Sequence, residues 1–126
     1  MASLNRVELI GYLGTDPELT LTGKGNAKAT FRVATTYRWR SGEGELQEET
    51  DWHNIVAWNK LAEICRRNLA KGRHIYIEGR ITTRKWEREG QTYYRTEVIA
   101  TNIQFLGDRH QWRINCNEEI ISDGDA

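Results

Sequence analysis

The sequence predicts an all-β fold: a five-stranded barrel with one short helix between strands 3 and 4. Apolar residues recur with period two along most of the chain, the spacing of half-buried strands. One stretch, residues 61–69, switches instead to helical spacing. Glycine, asparagine, aspartate and the single proline cluster between the periodic runs, where the chain must turn.

Val7, Leu9, Gly11 and Leu13 alternate with Arg6, Glu8, Ile10 and Tyr12, which defines a first strand. Residues 14–17 form a turn holding Pro17, residues 22–26 form another, and residues 18–21 between them continue the sheet. Ala27, Ala29, Phe31, Val33 and Thr35 make the inward face of the second strand. Residues 39–50 are polar, contain Gly42 and Gly44, and read as a mobile hairpin loop. The third strand is 51–58. Leu61, Ile64, Cys65 and Leu69 then follow i, i+3, i+4, i+8, with Asn59 as the expected N-cap and Gly72 as the stop. Ile75, Ile77, Gly79 and Ile81 restore alternation for a fourth strand running toward Trp86, and residues 87–91 read as a loop. The fifth strand is 93–106, with Ile99, Ile103 and Phe105 on one parity and Val98 on the other. This order, three strands, a helix and two strands, is that of an OB-fold barrel, whose strand face and long hairpins serve as an oligonucleotide surface. The expected division is an OB-fold domain over 1–107 and a short acidic, flexible C-terminal tail over 108–126.

Composition bounds the function. The chain has 126 residues, 29% of them charged, and a mean hydropathy of −0.72, which fits one soluble domain with a single core. No run approaches the roughly 20 apolar residues of a membrane span. The first six residues lack the charged-then-apolar pattern of a secretion signal, so a cytoplasmic protein is expected. The formal net charge of zero hides an asymmetry: residues 1–107 carry 16 Lys+Arg against 13 Asp+Glu, and residues 108–126 carry 2 against 5. A mildly basic body suits a polyanion. Cys65 falls on the helix stripe and Cys116 in the tail, with no Cys/His spacing for zinc, so neither disulfide, metal nor other cofactor is expected.

The tryptophans point to the polyanion. Trp39 lies between Arg38 and Arg40, and Trp86 follows Arg84-Lys85. Core tryptophans want apolar neighbours and a partner for the ring N–H, and these segments supply neither. Trp52 and Trp58 fall six apart, so on a strand they share a face. Aromatic rings interleaved with cations can stack unpaired bases and neutralise their backbone.

These residues resemble the bacterial single-stranded DNA-binding protein family. Residues 5–18 are similar to its opening strand and turn, and Thr50-Asp-Trp-His-Asn-Ile-Val-Ala-Trp58 to its third strand. Lys60-Leu-Ala-Glu63, Leu69-Ala-Lys-Gly72, Ile75-Tyr-Ile-Glu-Gly79, Thr83-Arg-Lys-Trp86, Thr96-Glu-Val98 and Phe105-Leu-Gly107 follow in family order, so the likeness spans residues 4–107. The resemblance implies a non-catalytic protein that binds single-stranded DNA in replication, recombination and repair, usually as a homotetramer. It implies stacking by Trp39, Trp52, Trp86 and Trp58, phosphate contacts from Lys60, Lys71, Arg84 and Lys85, and subunit contacts at His53 and Tyr76. Arg38 and Arg40, flanking Trp39, join the expected phosphate contacts. The family usually adds a long linker and an acidic tip ending in Pro-Phe that draws in replication and repair enzymes. Here Asp108–Ala126 follow, acidic but without that ending, so those partners are not carried over.

Two other readings compete with this one. Glu49, Asp51 and His53 alternate and would share one strand face, a spacing that could ligate a metal, but no nucleophile or second ligand cluster accompanies them. An interaction paralogue of the same fold, of primosome or assembly-factor type, would mainly bind protein; such chains can lose the stacking tryptophans, and this one keeps all four positions.

Overall fold

The computed structural model describes residues 2–106 in full and, beyond them, the backbone of 111–115 and 118–123. The chain runs β1 (Val7–Leu13), β2 (Glu18–Leu21), β3 (Ala27–Arg40), β4 (Leu46–Trp58), α1 (Asn59–Asn68), β5 (His74–Arg88), β6 (Gln91–Leu106), β7 (Gln111–Asn115) and β8 (Glu118–Asp123). Strand β1 pairs with β3 and β5, β3 with β4, and β5 with β6, all antiparallel. A parallel contact, Ile55 with Val98 and Val56 with Ile99, joins β4 to β6 and closes a mixed barrel of five strands. Counting those strands alone, α1 follows the third and precedes the fourth, as the hydrophobic period predicted. Strand β2 lies along β3, and β7 and β8 extend the sheet from β6. The acidic segment expected as a tail, with Trp112 and Cys116, lies outside the residues whose side chains are described.

The core is where alternation placed it. Leu13, Ala29, Phe31, Val33, Ile55, Ala57, Ile75, Ile77, Ile103 and Phe105 are buried together. Helix α1 packs on β2, β3 and β4 and adds Leu61, Ala62, Ile64 and Cys65 to the same cluster. At Gly79 a Cβ would meet the backbone oxygen of Ile99 at 2.1 Å, so the close approach of β5 and β6 there admits only glycine.

Four local expectations are corrected. Residues 39–50 are not a loop: β3 and β4 pair in unbroken register from Lys28↔Trp58 to Arg40↔Leu46, and only residues 41–45 turn. The arm is polar because both of its faces are solvated, and cross-strand partners such as Arg38 with Glu48 hold it. Residues 87–91 likewise shrink to a two-residue turn, Glu89-Gly90, with φ of 52° and 81°, the positive pair a tight hairpin needs. Asn59 is not the N-cap. Trp58 holds that position without a side-chain cap, and Asn59 enters the helix at φ 54°, a left-handed conformation asparagine tolerates. The helix ends at Asn68, before Gly72, whose N–H donates to the Leu13 carbonyl (2.9 Å).

The fifth strand also changes parity. Its register slips opposite Glu78 and Gly79, leaving Thr101 as an extra residue. Ile103 and Phe105 point inward on one side of this bulge and Val98 and Ala100 on the other, so Ile99 turns outward. Beside β1, the Asn5 amide donates to the Ile81 carbonyl (2.7 Å) and accepts from the Ile81 N–H (2.8 Å), standing in for one more ladder pair.

Candidate nucleic-acid interface

Register decides which predicted residues meet. In β4, Trp52 pairs with Ala34 and Trp58 with Lys28, the parity that points away from Phe31, Val33 and Ile55 in the core. In β5, Arg84 and Trp86 pair with Arg95 and Tyr93 and lie on the outward parity, opposite to Ile75 and Ile77. Strand β6 separates β4 from β5, so Trp52, Trp58 and Trp86 project from one outward surface with β6 between them. All three rings are partly exposed, Trp52 to 50%.

Trp39 is not on that surface. It is an even number of residues from Val33, so it continues the inward parity of β3, on the arm where that face is open to solvent. There it stacks on Tyr37, with centroids 5.6 Å apart and planes at 22°. Trp86 has an equivalent neighbour, Tyr93, at 5.8 Å and 23°. Sequence reading missed both tyrosines, although Tyr37 shares the parity of Trp39 and could have been found from it.

Cations lie on the rings. The Arg32 guanidinium sits 4.7 Å from the Trp52 centroid, the Lys28 ammonium 5.6 Å from Trp58, and Arg84 5.9 Å from Trp86. Neither Arg32 nor Lys28 was singled out from sequence, because the signal is a cross-strand pair rather than a neighbour in the chain. Of the six expected phosphate contacts, Arg38 is paired with Glu48 (2.9 Å) and Arg84 with Glu97 (3.1 Å). Arg40 donates to the Gly44 carbonyl (3.0 Å), which braces the arm's turn. Lys85 is on the opposite face of β5 from Arg84, 6.0 Å from the Tyr94 ring. Lys60 in the first turn of α1 and Lys71 beyond its end are exposed, their ammonium groups without a carboxylate partner among the described residues, while the Lys71 backbone N–H donates to the Asp16 carboxylate (2.8 Å). The aromatic and cationic groups therefore form a belt over the barrel and its arms rather than one pocket.

The two residues expected at a subunit contact separate. Tyr76 stands on the outward face of β5 opposite Ile10 and donates to Glu8 (2.8 Å), which raises its pKa above the ordinary phenol value. Beside it Arg6 pairs with Glu78 and Glu8, and Tyr12 stacks on His74 at 4.4 Å. Ile10 and Tyr12 are more than half exposed, and from Val7 to Ile10 the β3-side edge of β1 pairs with no strand among the described residues. His53 lies on the other parity of β4, half-buried, its Nε2 2.9 Å from the Thr35 hydroxyl. Glu49, Asp51 and His53 do share a face, yet no group of three metal-ligating side chains converges among the described residues. No described helix is long and apolar enough to cross a membrane.

A closed barrel whose outward surface carries exposed rings overlaid by cations has the form of an OB-type nucleic-acid-binding surface. Comparison with known proteins agrees. Residues 4–106 match the single-strand binding protein family, and the chain belongs to that family. It is 49% identical over 106 residues to single-stranded DNA-binding protein 1 of Chlorobaculum tepidum, a match covering 82% of this chain and 65% of that relative's length. Its fold is similar to that of the Plasmodium falciparum SSB solved in complex with ssDNA, with a TM-score of 0.79 and 36% identity over 85% of this chain and 98% of the other.

Proposed function

We propose that this protein binds single-stranded DNA without strong sequence preference and covers it during replication, recombination and repair. The observation that carries the reading is the outward surface on which Trp52, Trp58 and Trp86 stand exposed, each with a cation over its ring. Unpaired bases stack on these rings, each stack contributing about 1–3 kcal/mol, while duplex keeps its base faces hidden. The strand reaches Trp39 by passing over the β3–β4 arm. Arg38, Arg40, Lys60, Lys71, Arg84 and Lys85 neutralise phosphates along the path, which makes affinity fall with salt.

The same reading includes self-assembly, as a homotetramer. The exposed Ile10 and Tyr12 on β1, whose edge is open over its first half, with Tyr76 beside them on β5, suit a second copy of the chain. His53, held by Thr35, belongs to the subunit contacts through the β4 face it occupies. The expected setting is the bacterial cytoplasm, on the nucleoid.

Anisotropy of a dye-labelled oligothymidylate and of a matched duplex, titrated at two salt concentrations, tests the proposal. Tight, salt-sensitive binding of the single strand alone is expected. Equal binding of both would reduce the interface to a phosphate-binding surface.

A further inference from the structure

Glu97 is the one buried charged residue among the described residues, 4% exposed, and it lies on the outward, ring-bearing parity of β6. A carboxylate placed there works against a polyanion, so its position needs a reason. Arg84 and Arg95 stand directly opposite each other across the β5–β6 ladder, a like-charge pair that would otherwise repel. Glu97 holds both. Arg84 donates through Nε to Oε1 (3.1 Å) and through Nη2 to Oε2 (3.2 Å), and Arg95 Nε lies 3.4 Å from the same Oε2. Arg95 also donates to the Asn54 amide oxygen (3.3 Å), two residues along β4 from Trp52. The two arginine side chains remain about half exposed, and each guanidinium has donors beyond those Glu97 and Asn54 occupy. Arg95 and Arg32, the cation on Trp52, border the same cleft of about 310 Å³, which Asp16 and Glu18 also line.

We infer that Glu97 is a positioning residue of the nucleic-acid face, holding Arg84 and Arg95 side by side so that their free donors receive backbone phosphates between Trp52 and Trp86. Arg95 is then a further phosphate ligand, absent from the set expected from the sequence. The inference rests on the single-strand reading above. Its logic is pre-organisation: long cationic side chains fixed in advance lose less freedom when the strand arrives.

The sign of one substitution separates positioning from simple charge. Glu97→Ala raises the net charge by one unit, so charge alone predicts equal or tighter binding of oligothymidylate. Positioning predicts the reverse, weaker binding by about fivefold or more, with a salt slope shallower by about 0.7 for each phosphate that is no longer neutralised. Arg95→Ala is expected to weaken binding on its own, and the double variant to bind little more weakly than that, because the two residues act as a unit. Glu97→Gln, whose amide oxygen accepts from one guanidinium, gives an intermediate loss and serves if Glu97→Ala does not fold. If wild type binds the single strand and neither Glu97 variant binds more weakly, the inference is overturned and the single-strand reading stands. If wild type fails to bind the single strand, both fall.

Discussion

The indole of Trp52 lies against the backbone of Gly14, so close that a Cβ at residue 14 would come within 2.1 Å of ring carbon Cζ3. The turn after β1 thus supplies a floor for a ring that β4 projects, and Arg32 approaches the same ring from β3. Half of Trp52 stays open to solvent. A ring held by backbone and cation keeps its orientation before a base arrives, which lowers the ordering cost of binding.

Trp52→Ala is therefore expected to weaken binding of any single-stranded sequence by about 1–3 kcal/mol while leaving duplex binding unchanged. Parallel titrations with homopolymers and duplex check this. An equal loss on duplex would remove stacking from the account.

Gly14→Val should act through the ring it displaces. The loss of single-strand affinity is expected to approach that of Trp52→Ala, and the double variant to be no weaker than Trp52→Ala alone. Thermal unfolding of each variant checks that the turn itself survives.

Lys85 and Arg38 should differ in salt dependence. Lys85 has no carboxylate partner among the described residues, and Arg38 is paired with Glu48. Lys85→Ala is expected to flatten the log–log salt slope by about 0.7, the value for one phosphate on a single strand. Arg38→Ala, which also frees the exposed Glu48, should cost most affinity at low salt, where the repulsion left behind is least screened, and so flatten the slope more than Lys85→Ala does. Salt titrations of both variants distinguish the two outcomes.

Burial pushes the Cys65 thiol from its ordinary 9.0 up to about 12. A folded-state pKa above the unfolded one gives stability that is complete below about pH 9 and lost as pH rises toward 12. Denaturant unfolding at pH 8 and pH 11 should show wild type losing roughly 1–3 kcal/mol more than Cys65→Ala. At pH 8 iodoacetamide should leave Cys65 unlabelled in the folded protein, read by peptide mass so that Cys116 is counted separately.

What the sequence made legible follows from where alternation is enforced. A strand with one face in the core must alternate, so the barrel strands and the inward set from Ala27 to Val33 could be read directly. The β3–β4 and β5–β6 arms leave the barrel and meet water on both faces, so no apolar period marks them, and they read as loops. The bulge at Thr101 reversed the parity of β6 without a glycine or proline to announce it. Among the proposed site residues, cationic neighbours in the chain singled out Trp39 and Trp86, and spacing put Trp52 and Trp58 on one face. That Trp39 faces away from Trp52 was available in the even spacing from Val33. Arg32, Arg95 and Glu97 were not legible, because their meaning comes from partners on other strands.

Intrinsic tryptophan fluorescence reads the stacking of exposed tryptophans on unpaired bases without a label. Titration with a single-stranded homopolymer, with matched duplex as control and at two salt concentrations, should quench the emission strongly for the single strand alone and less at high salt. Absence of quenching by the single strand, under conditions where anisotropy shows it bound, would mean that the tryptophans do not stack on its bases.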